Sequence, residues 1–201
     1  MKTTLILALT LTSSYSAIFD ATGLSYIDSS NADSNYNSAG YFTAASNSTR
    51  DRILVATFDS SSYAQPLSDV ESISLNLTTF GGATGNGYEF YYVDEVVDLS
   101  SITWNTAVTD GYVSSVGAGI QSGSLIGSNS DSLAPNVTYT FDVSTSQILA
   151  DSDQSFTVFV VNTGGAGNHF TEASVTVVPE PSSVLLAGLS GLAFIARRKR
   201  A

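Results

Sequence analysis

Three acids close together, Asp94, Glu95 and Asp98, are the densest group of hard oxygen donors in the chain, and Asp151 with Asp153 forms the next. Carboxylate oxygens suit calcium, so a structural calcium ion is the cofactor that Asp94, Glu95 and Asp98 would hold, although neither group has the spacing of an EF-hand loop. Five tyrosines are candidates for ligand binding: Tyr88, Tyr91 and Tyr92 border a glycine-rich stretch, and Tyr36 and Tyr112 lie in polar segments. Exposed rings can stack on sugar faces while hydroxyls and nearby amides bond the sugar. The competing reading is that strand alternation buries half of Tyr88 to Tyr92. His169 is the one histidine, with Glu172 near it. No nucleophile elbow accompanies it, and no carboxylate pair has a spacing that recommends glycoside hydrolysis. No catalytic residue is assigned, and the chain reads as a non-enzyme. With no cysteine, thiol catalysis and thiolate metal sites are excluded.

The C-terminus carries chemistry of another kind. Pro179-Glu180-Pro181 precedes an uncharged run from Ser183 to Ala196, which is followed by Arg197, Arg198, Lys199 and Arg200. The prolines donate no backbone hydrogen bonds and push their predecessors toward extended conformations, so Val178 to Pro181 is expected to be an accessible linker. As a helix of roughly 14 residues the run would reach about 21 Å, short of the bilayer's apolar core of about 30 Å. The basic cluster should stay on the cytoplasmic side. In its order of parts this tail closely resembles the PEP-CTERM sorting domain of Gram-negative bacteria. That resemblance implies a protein held at the inner membrane until an exosortase-type protease cuts near Pro179-Glu180-Pro181.

The N-terminus agrees with export. Lys2, the apolar stretch Leu5 to Leu11, and the small residues Ser13, Ser14, Ser16 and Ala17 have the order of a secretory signal peptide read by the translocon, with cleavage expected after Ser16. Three segments follow: a signal peptide over 1–16, a body over 17–177 and a sorting tail over 178–201. Of seven basic residues only Arg50 and Arg52 lie in the body, and of 18 acids only Glu180 lies outside it, leaving 17 acids against two cations, about −15. Such a surface repels nucleic acid and anionic polymers. A polyuronate such as alginate is disfavoured, and a neutral or basic glycan fits better.

The body must position these groups with strands. Ile53 to Phe58, Ile73 to Leu77, Tyr88 to Val93, Tyr139 to Val143 and Ser155 to Val161 read as strands, with Tyr41 to Ala44 and Ala173 to Val177 as weaker ones. Turn signals separate them at 81–87 and 162–168, and one helical turn is expected over Ser144 to Asp151. Gly111 to Asn136, rich in Gly and Ser, reads either as a long loop with short strands or as an ordered insertion. Trp104, placed in an alternating strand, and Phe58 are expected core anchors. Asp59 and Asp142 suit turn caps. The fold class is all-β, a two-sheet β-sandwich of the jelly-roll kind, with a short apolar helix in the tail.

Asp20-Ala21-Thr22, Asn35-Tyr36, Arg52-Ile53-Leu54 with Phe58-Asp59, Ile73 to Leu77, Ile102 to Asn105, Phe141 to Val143 and Phe170 to Ala173 run in the order seen in DNRLRE-type domains. The body resembles that family, which implies a jelly-roll carbohydrate-binding module like those of family 96. The chain lacks the usual closing strand motif after Glu172. The expectation is an exported cell-surface or matrix protein whose sandwich binds an extracellular polysaccharide. Its alternatives are a structural or adhesive matrix protein without a sugar ligand, and an accessory to a polysaccharide hydrolase or lyase.

Overall fold

The computed structural model describes residues 16–47, 50–63, 70–81, 84–115 and 119–180. The signal-peptide segment and the apolar helix expected in the tail lie outside these residues. Among those described, no helix is long and apolar enough to cross a membrane.

Among the described residues ten strands, all paired antiparallel, are divided between two sheets. The first sheet holds β1 (Ala17–Asp20), β10 (Asn168–Pro179), β5 (Val70–Thr79) and β8 (Thr138–Val143). The second holds β2 (Gly23–Asp28), β4 (Arg50–Asp59), β9 (Ser155–Asn162), β6 (Tyr88–Val93) and β7 (Ser124–Asn129). β3 (Phe42–Asn47) joins them: its first half pairs with β10 and its second half with β4. The continuous path is therefore β7-β6-β9-β4-β3-β10-β5-β8. The chain crosses repeatedly from one sheet to the other, which produces the expected all-β sandwich.

Alternation in β5 shows how the first sheet is specified. Ile73, Leu75 and Leu77 face inward and are essentially fully buried, opposite Val177, Val175 and Ala173 of β10. Ser74, Asn76 and Thr78 face outward, where they bond across the strands. Asn76 Nδ2 donates to Thr176 Oγ1 at 2.9 Å and its Oδ1 accepts from Thr140 at 2.8 Å. Thr78 and Thr138 hydroxyls lie 2.9 Å apart.

The second sheet is buried on both faces. Leu54, Ala56, Phe58, Phe90, Phe156, Val158 and Val160 fill the space between the sheets. Ile53, Val55, Phe159 and Val161 form a second cluster on the opposite face with Val97, Ile102, Trp104 and Val113. This is why Ile53 to Phe58 and Phe156 to Val161 are near-continuous apolar runs, broken only by Thr57 and Thr157: each face has something to bury against.

The outer cover is built around α1 (Trp104–Thr109), a helix where the sequence suggests a strand. Thr103 caps it. The Thr103 hydroxyl accepts from the Thr106 amide at 3.2 Å, and Thr106 Oγ1 accepts from the Thr103 amide at 2.8 Å, a reciprocal capping box. Trp104 is a core anchor as expected, but it packs in this outer cluster and not between the sheets. Asn35 fastens the cover from outside, its Nδ2 donating to the carbonyls of Leu99 at 2.8 Å and Ile102 at 2.6 Å. The expected helical turn is α2 (Thr145–Ala150). Asp59 caps its turn, accepting from the Ser61 amide at 2.9 Å, whereas Asp142 accepts from the Ser74 hydroxyl across the sheet.

Replacing Trp104 with Ala should destabilise the fold by about 3–4 kcal/mol, because it opens a cavity under α1. Urea midpoints of wild type and W104A, followed by circular dichroism, will measure it. A change below about 1 kcal/mol would mean that the outer cover closes over the gap.

Candidate binding site

The register of β2 against β4 sets Tyr26 opposite Leu54 and Asp28 opposite Arg52, so Tyr26, Asp28 and Arg52 share one face. Asp28 is fully buried. It ends β2 and caps the 3-10 turn Ser29–Asn31, its Oδ1 accepting from the Ser30 amide at 3.0 Å. Arg50 donates Nε to both carboxylate oxygens, at 2.8 and 3.0 Å, and Nη2 to Oδ2. Arg52 donates Nε to Oδ2 at 3.0 Å. Burial alone would raise the Asp28 pKa, but the bonds from Arg50, the Ser30 amide and Arg52 outweigh it and hold the carboxyl below its ordinary value.

Rings extend this centre in two directions. The Arg52 guanidinium carbon lies 5.6 Å from the centroid of the Tyr26 ring, a cation–π geometry, and Tyr26 stacks on Tyr36 with centroids 4.1 Å apart and planes 15° from parallel. On the other side Thr43 of β3 pairs with His169 of β10, and Thr43 Oγ1 lies 3.0 Å from His169 Nδ1. The imidazole lies 4.2 Å from the Tyr41 ring, which in turn lies 6.3 Å from Phe80. Burial, and then the Arg52 charge, lower the His169 pKa, so the ring is neutral at pH 7. Burial also raises the Tyr26 pKa, with Arg52 opposing and Tyr36, Asp28 and Tyr41 adding to it. β3 joins the two ring groups: Thr43 pairs with His169 of β10, and Ala45, two residues on, pairs with Arg52 of β4.

Tyr41 is 42% exposed and Phe80 49% exposed, while the Arg50 and Arg52 side chains remain 32% and 22% accessible. The patch thus offers apolar ring faces beside guanidinium donors. It can stack on the C–H face of a pyranose and bond its hydroxyls.

Of the five candidate tyrosines only Tyr36 belongs to this patch. Tyr88 and Tyr92 are corrected by the structure: both are buried, with their rings packed between the sheets. Tyr88 donates its hydroxyl to Asn168 Oδ1, and Tyr92 donates to Asp94 Oδ1 at 2.9 Å. Tyr91 and Tyr112 are half-buried against the outer cluster and donate to Glu89 and Glu95, each at 2.6 Å. Burial, with the neighbouring carboxylate second, pushes both of these phenols up to about 12. Sequence reasoning does not bring Tyr41, Phe80 and the two arginines into a candidate patch. The one signal for them is that the body's only cations stand two apart on one strand.

The expected calcium ligands Asp94, Glu95 and Asp98 do not converge. Asp94 serves Tyr92 and Glu95 serves Tyr112, while Asp98 accepts from the Ser100 amide at 2.9 Å and the Ser101 hydroxyl at 2.7 Å. Among the described residues no three His, Cys, Asp or Glu side chains gather to hold a metal. A recess of about 450 Å³ lies on the outer face of the first sheet, lined by Asp20, Asn76, Thr78, Thr138 and Glu172 among others. It contains no aromatic ring and no cation; its Asn76 side chain already donates to Ser174 and Thr176, and its Thr78 and Thr138 hydroxyls bond each other.

The sorting motif begins within the fold. Val178 pairs with Ser72 and Pro179 with Val70, so β10 runs two residues past the expected body, and Pro179 is buried. The expected free linker is replaced at that point by the end of a strand; Glu180 is exposed, and Pro181 with Arg197 to Arg200 lies outside the described residues.

Residues 177–200 match the model of the PEP-CTERM protein-sorting motif. The chain therefore carries the signal of an exported protein sorted at the membrane, and exosortase processing is implied. No curated protein matches the chain. Among solved structures it is similar to the N-terminal endo-1,4-beta-D-xylanase 10B of Clostridium thermocellum, CBM22-1–GH10 modules complexed with xylohexaose. The identity is 9%, the match covers 85% of this chain and 30% of that one, and the TM-score is 0.33. The chain spans less than a third of that protein's length, and a likeness of this degree carries no functional argument.

Replacing Asp28 with Asn should lower stability at pH 7 by about 2–3 kcal/mol, less than for a wholly buried pair because both arginines reach solvent. The contribution of Asp28 is complete above the ordinary Asp value of about 3.9 and is lost as pH falls through its lower folded value. Urea midpoints of wild type and D28N should therefore converge toward acid. A gap that persists unchanged at pH 2 would assign the loss to packing and not to charge.

Proposed function

We propose that the protein is a component of the cell surface or extracellular matrix whose β-sandwich binds glycan through the patch formed by Tyr36, Tyr26, Arg52, His169, Tyr41 and Phe80. The observation that supports this most is the exposure of Tyr41 and Phe80, in a ring group that β3 joins to the strand carrying the only two cations of an otherwise acidic body. The tail holds the protein at the inner membrane before an exosortase releases it to that destination.

The ligand is a neutral glycan. Asp28 takes up one of the two arginine charges, and the body carries 16 further acids, so a polyanion gains little there. Affinity comes from ring stacking and from donors that Asp28 holds in place. His169 contributes a neutral ring, and its Nδ1 is already engaged by Thr43.

A glycan array probed with full-length protein in mild detergent, with and without calcium, tests the reading. Wild type should bind a neutral polysaccharide. Tyr41→Ala and Tyr36→Ala should each weaken binding about tenfold or more, the loss of one stacked ring, with little change in melting temperature for the exposed Tyr41. Blank arrays in both conditions would overturn it. Self-association abolished by Tyr41→Ala would then support the adhesive alternative, for which the same exposed rings are the contact.

A further inference from the structure

A second feature stands apart from the ring patch, at the turn between α2 and β9. Asp151 is 5% exposed there. Its Oδ1 accepts from the amides of Asp153 and Gln154, both at 3.1 Å, but Oδ2 is closed off from solvent with no hydrogen-bond partner. The side-chain oxygen Oε1 of Gln154 is enclosed and unpartnered as well. Gln154 itself has a φ of 59°, in the left-handed region. Its carbonyl accepts from the amide and hydroxyl of Ser60, at 2.8 and 3.1 Å.

The surroundings are rich in acceptors and poor in protons: the hydroxyl of Tyr92 lies within reach of both Asp151 and Asp94. The Asp153 carboxyl is close enough to Asp151 to raise its pKa after burial has done so, and the Asp151 carboxylate raises that of Tyr92. The single Tyr92 proton goes to Asp94 at 2.9 Å. Among the described residues the only guanidinium groups, Arg50 and Arg52, are held at Asp28. A buried carboxylate oxygen beside other oxygens, with no proton of its own to accept and no cation, is an expensive arrangement.

We propose that the turn over residues 151–154 binds a divalent cation, calcium by the chemistry of its donors, through the carboxylates of Asp151 and Asp153 and the Gln154 side-chain oxygen. These are hard oxygens of the kind calcium takes, and calcium completes a shell of six to eight with water. Asp153 is exposed, which leaves a solvent side where those waters sit. Two carboxylates and a neutral amide make a site of modest strength, in the range of about 10⁻⁴–10⁻³ M seen for extracellular modules. The ion would tie the end of α2 to the start of β9, and through the Gln154 carbonyl to the turn after β4. This set shares no residue with Asp94, Glu95 and Asp98.

Calcium titration of the full-length protein, followed by melting temperature and by terbium luminescence, tests the site. The melting temperature should rise saturably with calcium and fall back on chelation, and terbium should show tyrosine-sensitised emission that calcium displaces. Asp151→Asn keeps the acceptor for the two amides and should weaken calcium binding about tenfold or more. Asp153→Asn, at an exposed position, should weaken it in the same direction, and it keeps the test decisive if the first variant fails to fold. A melting temperature indifferent to about 10 mM calcium, ten times the weak end of that range, would overturn the proposal. So would a calcium response unchanged in both variants, which puts the ion elsewhere. Stability that rises on acidification with no calcium effect would also overturn it, since it places a proton on Asp151.

Discussion

Two arginines converging on one buried carboxylate hold the ring-bearing face together. Asp28 could not be buried unpaired: a lone carboxylate in that position would cost several kcal/mol or take up a proton. With Arg50 and Arg52 in place, the end of β2, the 3-10 turn after it and the start of β4 are fixed against one another. Arg52 then sets the Tyr26 ring, and Tyr26 sets Tyr36. In a body with no other cation, both positive charges serve this one point, which leaves the rest of the acidic surface to be solvated.

The sheets divide the remaining work. The first needs only alternation, because its outer face is satisfied by serine, threonine and asparagine side chains bonded across strands. The second carries apolar residues on both faces and so requires α1 and its flanking loops as a second cover. Buried amides close the glycine loops onto this framework. Asn162 Nδ2 donates to the carbonyls of Asn86, Gly87 and Ala166, and Asn168 binds Gly85, Tyr88 and Leu133. A Cβ on Gly164 would lie 1.9 Å from the Asn86 carbonyl oxygen, so that approach requires glycine.

How much of this is legible in the sequence depends on whether the signal is local. Strands with clean alternation or long apolar runs, such as β5 and β9, are visible because burial dictates their pattern. β1 and β2 are not, being short and without a sustained alternation, and β7 is hidden within a Gly and Ser segment that offers few large side chains. Trp104 is legible as a core residue but not as a helical one, since the capping residues Thr103 and Thr106 look the same in a turn or a strand. The tyrosines show the limit most clearly. Tyr88 and Tyr92 share the inward parity of Phe90, so the register that makes β6 a core strand removes them from the surface. The ring patch draws on β2, β3, β4 and β10, and no sequence neighbourhood contains it.

β10 has a further meaning when considered as a mechanical element. It carries His169 at one end and passes at the other into the sorting tail through Pro179, a span of about 33 Å at about 3.3 Å per residue. Along that length it is bonded to β5 on one side and to β3 and β1 on the other. Tension between a tethered tail and a load grasped at the ring patch would run lengthwise down this single strand. The flanking ladders would then be stressed in shear, many bonds sharing the force at once, and not opened one by one like a zipper.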